Sequence, residues 1–404
     1  MLAIELILEA LDYLTIPLEL SFPLSIDEHK PKHAALSACS LVCKDWSYFA
    51  QRLLFRRVII RADFEKPFSV SSYDTFLSAI DPHTEKGAWL ASSIRMFIFF
   101  PRKDDGGGAV SSQLLTALLR MPNLRHFDVF AAVCTFSDAQ LAQLRAEGPK
   151  LNSLRINVDR WTTTPETVDP ETNMYRLAAC FPSLKVLDIG SIRGSTLRPA
   201  SPPLNLPLTA LTITLFRIAN SLEACIACLV RNPEADYNGL QVLSTHARQG
   251  RRRPGEEESL VQTYGPTLLS LTVDFNQYDT LAMALQQCTR LKRLELANFP
   301  TPALLPLLPR TLEDLSMSSG RTSSYESGVE FPDLGPLMTE IENLPRLRKL
   351  TISYCGDNEP HFDALRVVCR QRGIELRTSN GIYINGDDFM ISVQKDLLEL
   401  NLTG

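Results

Sequence analysis

The chain carries none of the common catalytic signatures. Its 404 residues contain no G-x-S-x-G elbow, no H-E-x-x-H and no glycine-rich dinucleotide loop. Its six histidines are dispersed, and none sits beside an obvious nucleophile. The run Asp104-Asp105-Gly106-Gly107-Gly108 lacks the lysine and hydroxyl residue of a phosphate loop and reads as a flexible turn. Neither catalysis nor a cofactor is therefore expected. Excess basic charge is missing as well: 41 Lys and Arg against 46 Asp and Glu leave a net charge of −5. That balance argues against a general nucleic-acid surface. The opening apolar stretch carries Glu5 and Glu9 and lacks a basic n-region, so no secretory signal is expected. The longest uncharged run, residues 199–216, contains Pro199, Pro202, Pro203 and Pro207, a poor composition for a membrane helix. The expected location is cytoplasmic or nuclear, with no membrane partner.

The nine cysteines are odd in number and scattered through apolar segments, which suits reduced structural thiols. Cys225 and Cys228 form a C-x-x-C pair, but Cys225 shares a helical face with Leu222, Ile226 and Leu229. A zinc site would want a second pair or nearby histidines, and the nearest, His246, is isolated. No metal site is expected. His29 and His33 are four apart, but Pro31 breaks the helix that would align them. Arg251-Arg252-Arg253 followed by Glu256-Glu257-Glu258 reads as a solvated loop. The proline-rich residues 198–207 read as a loop inserted between repeats.

What is abundant is helical apolar periodicity at the amino terminus. Ile4, Ile7, Leu8, Leu11 and Leu14 recur at helical spacing, as do Leu36, Leu41, Val42, Trp46, Phe49, Leu53 and Leu54. Three short amphipathic helices in under sixty residues bury too little area to stand comfortably alone. Leu2, Glu5, Leu6, Leu8, Leu11, Tyr13 and Leu14, then Leu41-Val42-Cys43-Lys44, Trp46, Ala50 and residues 54–58 (LFRRV), fall where an F-box has like residues. Residues 1–57 thus resemble an F-box, the module that docks a substrate receptor onto the Skp-type adaptor of a cullin–RING ubiquitin ligase. The segment departs from that family in having Ala3 and Ile4 for two prolines, and a longer connection over residues 15–35.

Beyond residue 90 the chain repeats itself. A leucine, two residues, an apolar residue, one residue and another apolar residue recur from Leu124, Leu151, Leu184, Leu208, Leu268, Leu291, Leu312 and Leu347. Leu240 opens a weaker copy ending in Thr245, Ile94 opens a degenerate one, and residues 58–61 (VIIR) offer a first strand. From Leu124 onward, counting Leu240, successive starts lie between 21 and 35 residues apart. The last two apolar positions alternate as on a short strand with one face buried. Helical patterns fill the gaps: Ser137 to Gln140 reads as a capping box. Leu334, Leu337, Ile341 and Leu344 share one face, as do Phe362, Leu365 and Val368, and Gly373 is placed to end the last helix. The pattern resembles a leucine-rich repeat, although the family's asparagine after the strand appears only at Asn276. An ordinary α/β domain with many Leu-x-x-Leu strands is the alternative.

The expected fold class is α/β: a three-helix F-box over residues 1–57, then an irregular leucine-rich-repeat solenoid over 58–378 with strands on the concave side and helices on the convex side. Residues 379–404 form a tail or cap whose Ile382, Ile384, Phe389 and Ile391 suggest packing on the last repeat. By strand alternation His126, Asp128, Arg155, Asp188, Asp274, Arg293 and Glu295 should face outward and offer a polar, mixed-sign column to a target protein. The resemblance implies that Leu2, Leu6, Leu41, Val42, Trp46 and Leu54 grip the Skp-type adaptor, and through it the cullin. The implied role is a non-catalytic substrate receptor acting by proximity. Two rivals stand beside it: a repeat scaffold whose first helices merely cap the array, and an enzyme on an unfamiliar α/β fold.

Overall fold

A computed structural model describes residues 34–42, 44–61, 70–100, 107–130, 136–158, 170–191, 196–218, 221–231, 239–247, 256–273, 283–296, 299–318, 333–353 and 362–379. The first expected helix, with Leu2 and Leu6, and the carboxy-terminal tail beyond residue 379 lie outside the described residues. The chain divides into two compact units, parted after Ser195.

In the first unit residues 34–39 are helical, and α1 (Lys44–Leu54) leads into β1 (Arg57–Arg61). Then follow α2 (Val70–Ala79), α3 (Glu85–Ser93), β2 (Met96–Phe100), α4 (Gly107–Arg120) and β3 (His126–Phe130). After these come α5 (Asp138–Glu147), β4 (Ser153–Val158), α6 (Pro170–Ala178) and β5 (Val186–Ser191). The strands β1 to β5 pair in sequence order and all in parallel. A parallel neighbour needs a crossover connection, which is why a helical segment separates each pair.

The second unit opens with the two-residue β6 (Thr196–Leu197) and the long β7 (Ala210–Ile218). It continues through α7 (Leu222–Leu229), β8 (Val242–Ala247), α8 (Glu256–Tyr264), β9 (Ser270–Val273) and β10 (Arg293–Leu296). A 3₁₀ turn (Leu305–Leu307) then leads to β11 (Asp314–Ser318), α9 (Gly335–Asn343), β12 (Lys349–Ser353), α10 (Phe362–Arg372) and β13 (Glu375–Ser379). From β7 to β13 the strands again pair in order and in parallel. The weak copy at Leu240 is a full member, because β8 pairs on both sides and its Thr245 is buried with the apolar positions. The degenerate copies at 58–61 and 94–99 are likewise true strands.

Two backbone devices recur. The N–H of the opening leucine bonds the carbonyl three residues back, as in Leu124 to Met121 (3.2 Å), Leu184 to Phe181 (3.1 Å) and Leu347 to Leu344 (3.2 Å). This tight turn swings the chain from helix to strand. At β1 to β4 and β7 to β11 the carbonyl just before the strand then accepts two successive N–H groups from the next repeat: Arg56 from Arg95 and Met96, Gln241 from Leu269 and Ser270. Register between repeats is therefore set before the strand begins.

The motif's apolar positions form the core. Leu124, Phe127 and Val129, Leu151, Leu154 and Ile156, and Leu312, Leu315 and Met317 are all buried. Each such side chain contributes about 1.5–3 kcal/mol when withdrawn from water. In the first unit aromatics replace leucine, and Phe76, Phe97 and Phe127 stack successively at 5.7 and 5.9 Å. Helix ends follow local rules. Ser137 and Gln140 close the expected capping box, Ser221 caps α7, and Gly373 ends α10 at φ +69°. In α10 the buried third position is Cys369, one residue beyond the expected Val368, which is half-buried. The proline-rich insertion is pinned down: the N–H groups of Leu204 and Leu206 bond the carbonyls of Cys228 and Leu229 at the end of α7.

Candidate functional site

The helical turns at the start of the described chain enclose a small core of their own. Leu36 and Ala50 are buried, and Cys39, Trp46, Phe49, Leu53 and Leu54 pack around them. Between residues 34–39 and α1, the N–H groups of Leu41 and Val42 bond the carbonyls of Ala38 and Cys39. That turn thrusts two apolar side chains into solvent, with Leu41 86% and Val42 66% exposed. Of the six side chains expected to face the adaptor, Leu41 and Val42 project outward, whereas Trp46 and Leu54 hold the helices together. Leu2 and Leu6 lie outside the described residues. Tyr48, also exposed, was not foreseen; its ring lies 4.6 Å from Trp89 of α3.

The outward strand face differs from the solvated column that alternation predicts. Asp128, Arg155 and Asp188 do occupy that face in adjacent strands, but they are only 2%, 8% and 3% exposed. Arg155 lies between the two carboxylates, its Nε 3.0 Å from Asp188 Oδ2 and its Nη1 3.7 Å from Asp128 Oδ2. Asn157 Nδ2 donates to Asp128 Oδ1 at 3.2 Å. Burial draws the guanidinium of Arg57 down to about 10, and the charge of Asp128 opposes the shift. Asp128, Arg155 and Asp188 share one strand face, as alternation groups them. They are buried rather than solvated, because charges of opposite sign on neighbouring strands satisfy one another. His126, at the edge of this group, is half-buried.

In the second unit the same face carries a row of alternating sign: Arg293, Asp314, Lys349 and Glu375 stand in register on β10 to β13. Lys349 Nζ reaches Asp314 Oδ2 at 2.8 Å, and Arg293 is half-buried with its basicity lowered by burial. Two residues on, Glu295 lies between Thr272 and Ser316 in register, and Thr272 Oγ1 is 3.5 Å from Glu295 Oε2. Burial and the charge of Asp314 push the Glu295 carboxyl up to about 7, against the opposing pull of Thr272 and Lys349. Asp274 lies outside the described residues. The expected column is thus two separate groups, a buried Asp–Arg–Asp bridge and a less buried row of alternating sign.

The cysteine pair behaves as a core element. Cys225 and Cys228 are buried on α7, and Cys228 Sγ donates to the Cys225 carbonyl at 2.9 Å. Burial raises the Cys228 thiol, and raises Cys288 to about 12. Among the described residues no group of three His, Cys, Asp or Glu side chains could hold a metal ion. Among them also, no helix is long and apolar enough to cross a membrane.

No family model matches the chain, and no curated protein does. Two of the solved structures that align with it differ in their extent of overlap. One, the TLR13–ssRNA13 complex, is 12% identical with a TM-score of 0.36, covering 66% of this chain and 41% of that one. The other, the LRR protein LIC12759 of Leptospira interrogans, is 14% identical with a TM-score of 0.25, covering 72% and 92%. The chain spans about two fifths of the length of the first. The repeated strand architecture of this chain rests on its own parallel register and buried leucines.

Proposed function

We propose that the chain is the substrate-recognition subunit of an SCF-type cullin–RING ubiquitin ligase. Its amino-terminal helices bind the Skp-type adaptor, and its repeats bind a target protein. The observation that carries this reading is the exposure of Leu41 and Val42, which match F-box positions and project from a turn whose neighbours are already packed. A helix pair that only capped a repeat array would turn polar side chains outward, and an exposed apolar pair marks a contact surface. Ubiquitin transfer is then supplied by other subunits, and this chain contributes proximity.

The test is a pull-down of the full chain with purified Skp-type adaptor, beside a Leu41→Asp/Val42→Asp variant. Both substitutions replace exposed side chains, so the variant should keep the parent's circular dichroism. Trp46 is a poorer probe because it helps enclose the small core. Capture of the parent and loss in the variant supports the ligase reading. Equal capture of both, or of neither, removes it.

A second reading, an interaction scaffold with a helical cap, is favoured by the packing of Tyr48 on Trp89. It is favoured also by the direct bonding of Arg56 to β2, which makes α1 continuous with the first repeats. Failure of the intact, folded chain to capture adaptor would make this the function.

A further inference from the structure

The residue immediately before a strand occupies a fixed place, because in β1 to β4 its carbonyl accepts the paired N–H groups of the next repeat. In the first unit that place is held in turn by Arg56, Arg95, Arg125 and Asn152, and Lys185, whose N–H bonds Asn152, stands in the same place before β5. The bonds that fix this row run from Arg95 and Met96 to Arg56 (2.9 and 3.1 Å), and from Arg125 and His126 to Arg95 (2.9 and 3.0 Å). They continue from Asn152 and Ser153 to Arg125 (2.9 and 3.0 Å), and from Lys185 and Val186 to Asn152 (both 3.0 Å). Strands lie about 4.8 Å apart, so four cations are spaced along roughly 20 Å of sheet edge. Arg52, in the last turn of α1, adds a fifth.

These cations act on one another. The charges that bear on Arg95 are those of Arg52, Arg125 and Arg56; with burial the larger cause, all lower its basicity. Arg95 is anchored by carbonyl oxygens, its Nη1 donating to Ser92 (2.7 Å), Ile94 (3.3 Å) and Asn123 (3.4 Å). Arg52, Arg125 and Lys185 are exposed, and Arg56 is half-buried. Like charges held at such spacing within one screening length, about 8 Å, raise the energy of the unliganded edge.

The second unit supplies the contrast. There the same place is held by Thr209, Gln241, Leu269, Lys292, Glu313 and Arg348, a mixed set in which Lys292 lies 3.5 Å from Glu313. Composition does not explain the basic row either, since the chain as a whole carries −5.

We propose that this basic edge of the first unit docks an acidic segment of a partner protein. An extended segment places alternate side chains about 7 Å apart, which lets successive carboxylates address cations on neighbouring strands. A short acidic segment meets only the row, whereas a long polyanion would also meet the net negative remainder of the chain. The inference is independent of adaptor binding.

The experiment is a fluorescence anisotropy titration of the full chain against labelled oligoglutamate, with labelled oligothymidylate in parallel. Oligoglutamate should bind, and binding should weaken as salt rises. An Arg52→Glu/Arg125→Glu variant should weaken it by about tenfold or more, and Arg52→Gln/Arg125→Gln by less. Arg348→Glu in the second unit should change it by less than about twofold. Absence of oligoglutamate binding, equal binding by the Arg52/Arg125 variants, or tighter binding of oligothymidylate would overturn the proposal.

Discussion

Replacing Arg155 by methionine isolates the buried charge bridge of the first unit. Methionine keeps most of the volume, so the cavity contribution is small. What remains is a pair of carboxylates, Asp128 and Asp188, both almost fully buried and now without the cation between them. Removing one partner of a buried ionic group costs about 3–5 kcal/mol, and here the Asn157 amide and the Arg57 charge that still act on Asp128 place the cost toward the lower end. With a urea m-value of about 3 kcal/mol/M, the midpoint should fall by roughly 1–2 M. The assay is urea unfolding of the full chain followed by circular dichroism. A companion variant, Arg155→Met with Asp128→Asn and Asp188→Asn, removes the stranded charges and should recover much of the loss. A cost below about 1 kcal/mol for Arg155→Met, the range of a solvated surface pair, would refute the reasoning. So would a companion variant less stable than the single one.

Two further outcomes are expected. Glu295 is ordinarily protonated near pH 4.5 and is raised to about 7 in the folded chain, so the folded state holds the extra proton between those values. Stability should therefore fall as pH rises from about 4.5 to about 7 and then level, by an amount of order 1–3 kcal/mol. Glu295→Gln should remove that slope and be the more stable chain at pH 8, as read from urea midpoints at pH 5 and pH 8. Gly373→Ala places a side chain at φ +69° with no atom within 4 Å of the new Cβ, so the cost is purely conformational. It should lower stability by about 1 kcal/mol, and equal midpoints for the two chains would show that this helix end relaxes.

The strands were legible because period-2 alternation and an opening leucine are local signals. Even the weak copy at Leu240 proved to be β8. The capping box at Ser137 and the helix stop at Gly373 were legible for the same reason. Burial of the outward face was not. Asp128 and Asp188 lie sixty residues apart, and only parallel register brings both against Arg155. The division of the amino-terminal apolar residues was also hidden: helical spacing groups Leu41 with Trp46, yet the intervening turn exposes the first and half-buries the second. The basic edge is not legible in the sequence because Arg56, Arg95 and Arg125 form no run and acquire a common address only through the shared carbonyl bonds.

Those shared carbonyls act as a ruler. Within each unit, β2 to β5 and β8 to β13 take their position from one carbonyl just ahead of the preceding strand, not from the length of chain between them, and the spacing of the leucine starts varies from 21 to 35 residues. Residues can thus be gained or lost in the helical connections without shifting any strand against its neighbour, whereas one residue added between the opening leucine and its strand would displace every outward side chain of that strand. Change in this chain is free along one side and forbidden along the other, so new recognition would be written by substitution on the strands and by insertion behind them.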